Sequence, residues 1–475
     1  MLKYSDLQWK DGLDPRAIQL LLKEEAEKDG HKIVVLDDDP TGIQTVHDVP
    51  VYTDWSYESI RQGFLEPGKM FFILTNSRSF SRPQTIRAHG EIGRRLAAVS
   101  KELGIAFAVV NRGDSTLRGH FPLETQTLRE TLGEQMGEEI HGEVICPFFA
   151  EGGRFTMDNV HYVKEGEWLV PAGETEFAND KTFGYRSSDL REYIEEKTGG
   201  TDKKEDVICI SAQQLRSVDI DGVEQMLMNA GGFDKVVVNA LTSLEIKVFC
   251  IALYRAMAKG KRFLFSTAAG FVKEFAAVED SEFLTGRELV PKGRMGGGLV
   301  VVGSHTRKTT AQLECLRELP NIRLMEFDSD QVLDPAAMEE EIASVVRREE
   351  ACIRQGITAV VYTKRRLLSV KGDTGEQALE RSVKISEAVQ QLVGRVQEPP
   401  AFIVAKGGIT SSDIGTKALG VKRAWVQGQV RPGIPVWRTG PESRFPHIPY
   451  VIFPGNVGED HTLRDVLQVL MEPWS

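Results

Sequence analysis

Short apolar runs rich in Val, Ile and Phe recur along the chain, and each precedes a polar or glycine-rich cluster and then a helix-forming stretch. A continuous apolar run must be buried on both faces, so this rhythm predicts parallel sheets covered by helices. The first series of predicted strands comprises Ile33–Leu36, Met70–Leu74, Ile105–Val110, Glu143–Cys146, Val207–Ile210, Lys235–Val238 and Arg262–Phe265. The second comprises Leu299–Val302, Ile322–Phe327, Ala359–Tyr362, Phe402–Ala405 and Tyr450–Phe453. A helix is predicted to begin at Pro15, after a cap at Asp14, and to end before Gly30.

The segment Glu288–Gly298, which reads ELVPKGRMGGG, separates the two series. Its proline and glycines are typical of a linker, and 475 residues exceed what one ordinary core holds. We therefore predict two α/β domains, residues 1–290 and 291–475, each a mostly parallel sheet flanked by helices. The active site is expected in the cleft between the domains.

Composition narrows the classes of partner. Hydrophobic residues make up 41% and charged residues 27% of the chain, and the net charge is −11. This acidic balance argues against nucleic acid and against an anionic membrane as partners. The five cysteines form no CxxC pair, so neither a zinc site nor a disulfide framework is indicated. No long apolar segment is present, so we expect a cytoplasmic protein, with a homodimer as the commonest assembly of this class.

Four polar clusters follow predicted strands in the first half: Asp37–Gly42, Thr75–Arg78, Asn111–Gly119 and Glu151–Arg154. Ligands of parallel α/β folds bind beyond the carboxyl ends of the strands, where these clusters lie. The adjacent aspartates require hydroxyl or cationic partners. The clusters also contain three arginines suited to a carboxylate or phosphate, and several hydroxyls: Arg78, Arg118, Arg154, Ser77, Ser115 and Thr116. A sugar acid needs this combination of groups.

Other interpretations of these clusters stay open. Strand-end turns and helix caps are also rich in Asp, Ser and Thr. The segment Val34–Thr41 fits the opening motif of haloacid-dehalogenase-type phosphatases, with Asp37 as nucleophile and Asp39 as general acid/base. Arg118, however, stands where that family's second Mg²⁺-binding acid is expected. A sugar-acid-binding protein without catalysis is the third alternative.

The clusters of the second half are rich in glycine: Gly303–Thr306, Lys406–Ser412 and Pro454–Gly458. Glycine allows backbone N–H groups to approach a polyphosphate, and a following helix N-terminus favours its negative charge. Neither a GxxxxGK[ST] loop nor a GxGxxG fingerprint is present. Gln429–Pro435 is predicted to be a strand-to-turn element.

Taken together, the clusters resemble those of the four-carbon acid sugar kinase family, whose members phosphorylate threonate, erythronate and 3-oxo-tetronates. The matching elements span nearly the whole chain, and the most specific is Asp-Ser-Thr-Leu-Arg-Gly at Asp114–Gly119. The others are Asp38–Gly42, Ser77-Arg78, Gly153-Arg154, His161–Val163, Gly303-Ser304, Gly407–Thr410, Pro432–Pro435 and Gly455–Gly458.

The resemblance implies an ATP-dependent kinase whose first domain binds the sugar acid and whose second binds ATP, with Mg²⁺ on its phosphates. The implied substrate-binding residues are Asp38, Asp39, Ser77, Arg78, Asp114, Ser115, Thr116, Arg118, Gly153 and Arg154. Asp114 or Asp38 would orient the attacking hydroxyl as the catalytic carboxylate. The implied nucleotide-binding residues are Ser304, Gly407, Gly408, Ile409, Thr410 and Gly455. We assign no metal ligand from the sequence.

Three positions depart from the family pattern. Pro40 and the continuation Gln44–His47 replace an aliphatic residue and small ones, and Arg112 replaces a lysine. Lys406 stands where a small hydroxyl residue is common. The first two departures lie in the predicted sugar site.

Overall fold

A computed structural model describes residues 2–6, 14–290, 296–366, 368, 370, 374–455 and 457–472. The chain forms two compact units: Met1–Thr45 with Asp54–Asp280, and Val46–Thr53 with Ser281–Ser475. The division therefore follows Asp280, and a short segment from early in the chain packs with the second unit. The boundary predicted at 290/291 adjoins residues 291–295, which lie outside the described residues.

Every strand predicted from an apolar run is present, with small shifts at the ends. The strands are β1 Leu2–Lys3, β2 Lys32–Asp37, β3 Val49–Tyr52, β4 Met70–Leu74, β5 Phe107–Arg112, β6 Gly142–Cys146, β7 Arg154–Met157, β8 Val160–Glu165, β9 Trp168–Pro171, β10 Ile208–Ile210, β11 Asp234–Val238, β12 Phe263–Thr267, β13 Leu299–Val302, β14 Ile322–Phe327, β15 Thr358–Thr363, β16 Ile403–Lys406, β17 Arg423–Arg431, β18 Ile434–Thr439 and β19 Pro449–Phe453.

The helices are α1 Pro15–Lys28, α2 Tyr57–Leu65, α3 Arg82–Leu103, α4 Leu123–Met136, α5 Leu190–Lys197, α6 Ala212–Arg216, α7 Ile220–Asn229, α8 Ser243–Ala258, α9 Ala269–Phe275, α10 Gly286–Leu289, α11 Arg307–Cys315, α12 Pro335–Arg354, α13 Gly375–Gly394, α14 Gly408–Asp413 and α15 Thr462–Met471. The predicted first helix is confirmed, since the Asp14 side chain accepts a hydrogen bond from the Arg16 N–H and Pro15 opens α1. Among the described helices, none has the length and apolar character that crossing a bilayer requires.

The first unit contains a parallel sheet in the order β10-β11-β6-β12-β5-β2-β4. Its central strands are buried on both faces; every residue of β2, β4 and β6 is buried. A separate antiparallel sheet, β1-β9-β8-β7, combines β1 with three strands that begin at the fourth polar cluster. These antiparallel strands were not predicted, because their half-buried residues form no continuous apolar run.

The sheet of the second unit has the order β3-β17-β18-β19-β16-β13-β15-β14. It is parallel from β14 to β19 and antiparallel from β19 to β3. Residues of β17 alternate between buried and half-exposed, as in a strand with one solvated face. The predicted α/β architecture, with mostly parallel sheets flanked by helices, is confirmed. In each unit the parallel strands end at one edge of the sheet and place their polar clusters there.

Candidate active site

Three aspartates at the end of β2 meet two arginines from neighbouring strand ends. Arg78 donates to both carboxylate oxygens of Asp38, from Nε at 3.0 Å and from Nη2 at 2.7 Å. The Nη1 atom of Arg78 also lies 3.5 Å from Oδ2 of Asp39. Arg112 donates from Nη1 to Asp37 at 3.0 Å and to Asp38 at 3.5 Å. The arginines therefore supply the cationic partners that adjacent aspartates require.

Burial sets the ionisation of these groups. It raises the pKa of Asp37 to about 7 and that of Asp38 to about 6, against the opposing effect of Arg112 on the first and of Arg78 on the second. A side chain at Gly42 would collide with the Asp37 carboxylate, since a Cβ there would lie 2.1 Å from Oδ1. Asp37 is thus enclosed by Gly42 and Arg112.

The loop Asp114–Gly119 carries a second charged cluster. Arg118 donates from Nε to Oδ2 of Asp114 at 2.6 Å, and the Thr116 hydroxyl donates to the same oxygen. None of the hydrogen bonds among the described residues uses Oδ1 of Asp114. Although burial alone would raise the pKa of Asp114, Arg78 and Arg118 hold it below its usual value. Asp114 is therefore ionised at neutral pH, with one oxygen available to a ligand.

Three consecutive carbonyls of this loop accept hydrogen bonds from side chains that follow β7. His161 bonds the Ser115 carbonyl at 2.8 Å, Tyr185 the Thr116 carbonyl at 2.7 Å, and Tyr193 the Leu117 carbonyl at 3.0 Å. Leu117 has a positive φ of 66°, which few residues other than glycine adopt. The three contacts offset that cost and fix the loop.

Three glycine turns of the second unit converge beyond β13, β16 and β19. A Cβ at Gly407 would lie 3.0 Å from the Thr410 hydroxyl and 3.4 Å from the Ser304 nitrogen. A Cβ at Gly455 would lie 2.8 Å from the Ser304 hydroxyl. The φ of Gly407 is +126°, so glycine is required there for conformation as well as for space. The cradle formed by Ser304, Gly407, Thr410 and Gly455 admits no side chains at its glycines, as the approach of a phosphate to the backbone requires.

Both halves of the chain match known protein families. Residues 33–275 match the family described as sugar-binding N-terminal domain, and residues 299–463 match the nucleotide-binding C-terminal domain. The chain belongs to the four-carbon acid sugar kinase family. The first unit therefore contains a sugar-binding domain of this family, and the second contains a nucleotide-binding domain. No curated protein matches the chain.

Two solved structures share the fold of this chain. A Haemophilus influenzae protein from family DUF1537 has 18% identity and a TM-score of 0.63, covering 92% of this chain and 100% of its own. A Salmonella typhimurium LT2 protein with the provisional name tRNA synthase has 16% identity and a TM-score of 0.67, covering 91% of this chain and 98% of its own. At these identities the likeness shows the fold alone.

Two further residues predicted for the sugar site, Gly153 and Arg154, lie around the same edge of the sheet in the first unit. Gly153 turns the chain with a φ of +73° into β7, where Arg154 donates from Nη1 to the Gly152 carbonyl. Nε of Arg154 is buried and has no hydrogen-bond partner among the described residues. Phe177 lies beside this arginine, with its ring centroid 5.6 Å from the guanidinium carbon.

Glu124 is a buried carboxylate of the same site for which the sequence predicted no role. It accepts from the Ser77 hydroxyl at 2.6 Å and from the Asn111 amide at 2.9 Å, and His89 lies 3.8 Å away. Ser77, predicted to bind substrate, is therefore engaged with Glu124 in this structure. Glu124 also lines a pocket together with other polar residues: Asp38, Asn111, Asp114, Arg118 and Ser266. Glu124 lies in α4 and not directly after a strand, so its position in the sequence did not indicate a role in the site.

Two basic side chains, Arg365 and Lys406, lie near the glycine cradle of the second unit. Arg365, just after β15, donates to the Thr310 hydroxyl from Nε and Nη2 at 3.2 Å and 3.1 Å. Its Nη1 is buried and has no partner among the described atoms. Buried Lys406 donates to the Pro454 carbonyl at 3.1 Å. Burial, with help from Lys308 and Arg365, lowers the pKa of Lys406 to about 7.

Gly408 and Ile409 begin α14, so their N–H groups lie in its first turn. Ile409 is 75% exposed, which leaves an apolar surface beside the cradle. Within the part of the chain that the structure describes, no group of three or more His, Cys, Asp or Glu side chains is placed to hold a metal ion.

Proposed function

We propose that this chain is an ATP-dependent kinase that phosphorylates a hydroxyl of a four-carbon or closely related sugar acid. The observation that carries the proposal is the charged cluster formed by Asp114, Arg118 and Arg154. Arg118 and Arg154 lie near one another, and Asp114 is the one carboxylate to which either is hydrogen-bonded among the described residues. Such a cluster has an excess positive charge that a substrate carboxylate would neutralise.

In this proposal Arg78 does not bind the substrate carboxylate, although its position in the sequence suggests that it does. Both oxygens of Asp38 are bonded to Arg78, which also approaches Asp39. This pairing supports a role for Arg78 in shaping the site rather than in holding the substrate carboxylate. Arg118 and Arg154 would hold the carboxylate, with hydroxyls of the sugar acid facing Asp38, Asp39 and the Ser115–Thr116 segment.

Asp114 is the better supported of the two carboxylates proposed to orient the attacking hydroxyl. Its Oδ1 accepts no hydrogen bond from the described residues, whereas both oxygens of Asp38 do. The hydroxyl oxygen would attack the γ-phosphorus, its proton would pass to the carboxylate, and the bond to the ADP oxygen would break. Positioning and neutralisation of charge supply most of the rate in such transfers.

ATP would bind at the cradle of Ser304, Gly407, Thr410 and Gly455, with the N–H groups of Gly408 and Ile409 near its phosphates. Arg365 lies at the same edge of the sheet and would add attraction for the polyphosphate, as would Lys406 in its charged form. Mg²⁺ would enter with the phosphates of ATP and offset part of their charge.

An ADP-release assay with Mg-ATP tests the proposal against threonate, erythronate and 3-oxo-tetronates. We expect acid-dependent ADP formation and a phosphorylated acid by mass spectrometry. The matching alditols, which lack the carboxylate, are the controls and should give no ADP. Absence of turnover across the acids would contradict the kinase assignment.

The same assay separates the alternatives. Release of phosphate from phosphorylated acids without nucleotide, abolished in Asp37→Asn, would instead support a phosphatase. Tight binding of an acid without any ADP formation would support a binding protein.

A further inference from the structure

Phe177 lies against two arginines of the sugar-binding domain at once. It belongs to the short 3₁₀ turn Glu176–Asn179. Its ring centroid is 5.0 Å from the guanidinium carbon of Arg118 and 5.6 Å from that of Arg154. Both distances are within the range of a cation–π interaction. The half-buried ring also packs against a core cluster that includes Leu117, Ala178 and Tyr185, which restricts its position.

Two guanidinium groups so close together repel each other. Burial lowers the pKa of Arg154, and the charge of Arg118 lowers it further. Asp114 offsets part of this repulsion through its contact with Arg118. The electron-rich ring of Phe177 adds a further attraction, since both guanidinium groups lie over it.

We propose that Phe177 is a positioning residue that holds Arg118 and Arg154 in place for the carboxylate of the substrate. The inference rests on the proposed function, in which these arginines bind that carboxylate. A guanidinium can present its face to an aromatic ring and its N–H edge to a carboxylate at the same time. The buried Nε of Arg154, which lacks a partner among the described residues, is a donor suited to that use.

Arginine labelling tests the structural half of this proposal without any substrate. Wild type, Phe177→Leu and Phe177→Tyr are treated with phenylglyoxal, and the labelling rate of each arginine is followed by peptide mass spectrometry. We expect Phe177→Leu to label severalfold faster at Arg118 and Arg154, and Phe177→Tyr, which keeps an aromatic face, to resemble wild type.

Phe183→Leu is the matched control. Phe183 lies in the same segment but contacts His120, with ring centroids 4.9 Å apart. Arg78, bound to Asp38, is the internal reference whose labelling should not change. Equal labelling of Arg118 and Arg154 in wild type and Phe177→Leu would overturn the proposal.

Kinetics with the acid that wild type phosphorylates tests the functional half. Loss of two cation–π contacts should raise KM for the acid about tenfold in Phe177→Leu and leave kcat within about twofold. Recovery of KM in Phe177→Tyr would separate this role from simple packing, and an unchanged KM in Phe177→Leu would contradict it. A wild type that phosphorylates none of the acids would contradict the proposed function, whereas the labelling rates would still decide whether Phe177 holds the arginines.

Discussion

His161 and Ser115 are joined by a buried hydrogen bond of 2.8 Å between the imidazole Nε2 and the backbone carbonyl. The other ring nitrogen, Nδ1, lies 3.0 Å from the hydroxyl of Thr156. A neutral imidazole with its proton on Nε2 satisfies both contacts, donating to Ser115 and accepting from Thr156. Burial lowers the pKa of His161 to about 4, which keeps that neutral form at physiological pH.

The first prediction concerns stability and pH. Because the folded-state pKa of His161 is below the unfolded value of 6.5, the unfolded chain binds more protons between these two values. The free energy of unfolding should therefore fall by about 3 kcal/mol as pH drops from 6.5 to 4, relative to His161→Gln. Urea unfolding across this range measures the difference.

His461→Gln, on an exposed part of the chain, is the control for loss of an imidazole. The change in its free energy of unfolding between pH 6.5 and 4 is the reference for the change in His161→Gln. A pH-independent gap between wild type and His161→Gln would contradict the prediction.

The second prediction concerns Asp114. Asp114→Asn keeps the shape of the side chain but removes the charge that would orient the hydroxyl. We expect kcat to fall about 100-fold or more, with KM for ATP nearly unchanged. Asp189→Asn is the control, because Asp189 caps α5 and pairs with Arg191, and asparagine is also a good cap. Near-normal turnover of Asp114→Asn would remove Asp114 from the catalytic role.

The sequence was sufficient to predict the alternation of strands and helices and the edges where polar clusters meet. Continuous apolar runs define the buried parallel strands, and the ends of such strands meet at one edge. The clusters at Asp38 and Gly407 could therefore be placed before their contacts were known. The half-buried strands β7 and β8 could not, because alternation gives a weaker signal than a continuous run. Of β17, the prediction of a strand-to-turn element at Gln429–Pro435 covered only the end.

The pairing of charged side chains could not be predicted from the sequence. Arg78 and Arg118 were both interpreted as substrate ligands, and in the structure each also pairs with a carboxylate, Arg78 with Asp38 and Arg118 with Asp114. Which carboxylate each arginine pairs with depends on distances in the folded chain, which spacing in the sequence does not encode. Phe177 belongs to none of the sequence motifs. An apolar residue in a short turn is ordinarily interpreted as a residue that packs against the core.

The third prediction concerns the cradle of the nucleotide-binding domain. Gly407→Ala would force a Cβ to within 3.0 Å of the Thr410 hydroxyl at a φ of +126°. We expect KM for ATP to rise at least about tenfold, while binding of the sugar acid is unchanged. Gly420→Ala is the matched control, because Gly420 also has a positive φ but nothing lies within 4 Å of its added Cβ. An equal effect of both substitutions on ATP binding would point to general backbone strain instead.

The fourth prediction concerns Arg365. Thr310 holds one side of the guanidinium, and buried Nη1 is left without a described partner. If Nη1 binds a phosphate, Arg365→Ala should weaken ATP binding about tenfold to a hundredfold, as loss of a charge-assisted hydrogen bond does. Calorimetry with a non-hydrolysable ATP analogue measures the change. Arg317→Ala, which removes an exposed arginine paired with Glu314, should leave the affinity unaltered, and an unaltered affinity in Arg365→Ala would exclude the contact.

The last prediction links Lys406 to the pH dependence of nucleotide binding. Its ammonium group donates to the Pro454 carbonyl and lies 3.8 Å from the centroid of the Phe453 ring. Burial, then Lys308 and Arg365, lower its pKa to about 7, so near neutrality part of the population is uncharged. Bound polyphosphate favours the charged form, because opposite charges attract more strongly where water is excluded. Binding of ATP should therefore take up protons, and the affinity should decline as pH rises above about 7.

Calorimetry in buffers of different ionisation enthalpy measures this uptake directly. At pH 7.5 we expect wild type to take up about half a proton more on binding the ATP analogue than Lys406→Met does. The difference between the two proteins removes the titration of the nucleotide itself, which is common to both. Lys417→Met is the control, since Lys417 is an exposed lysine paired with Asp413 and should behave as wild type. Equal proton uptake by wild type and Lys406→Met would show that Lys406 does not change its charge state when the nucleotide binds.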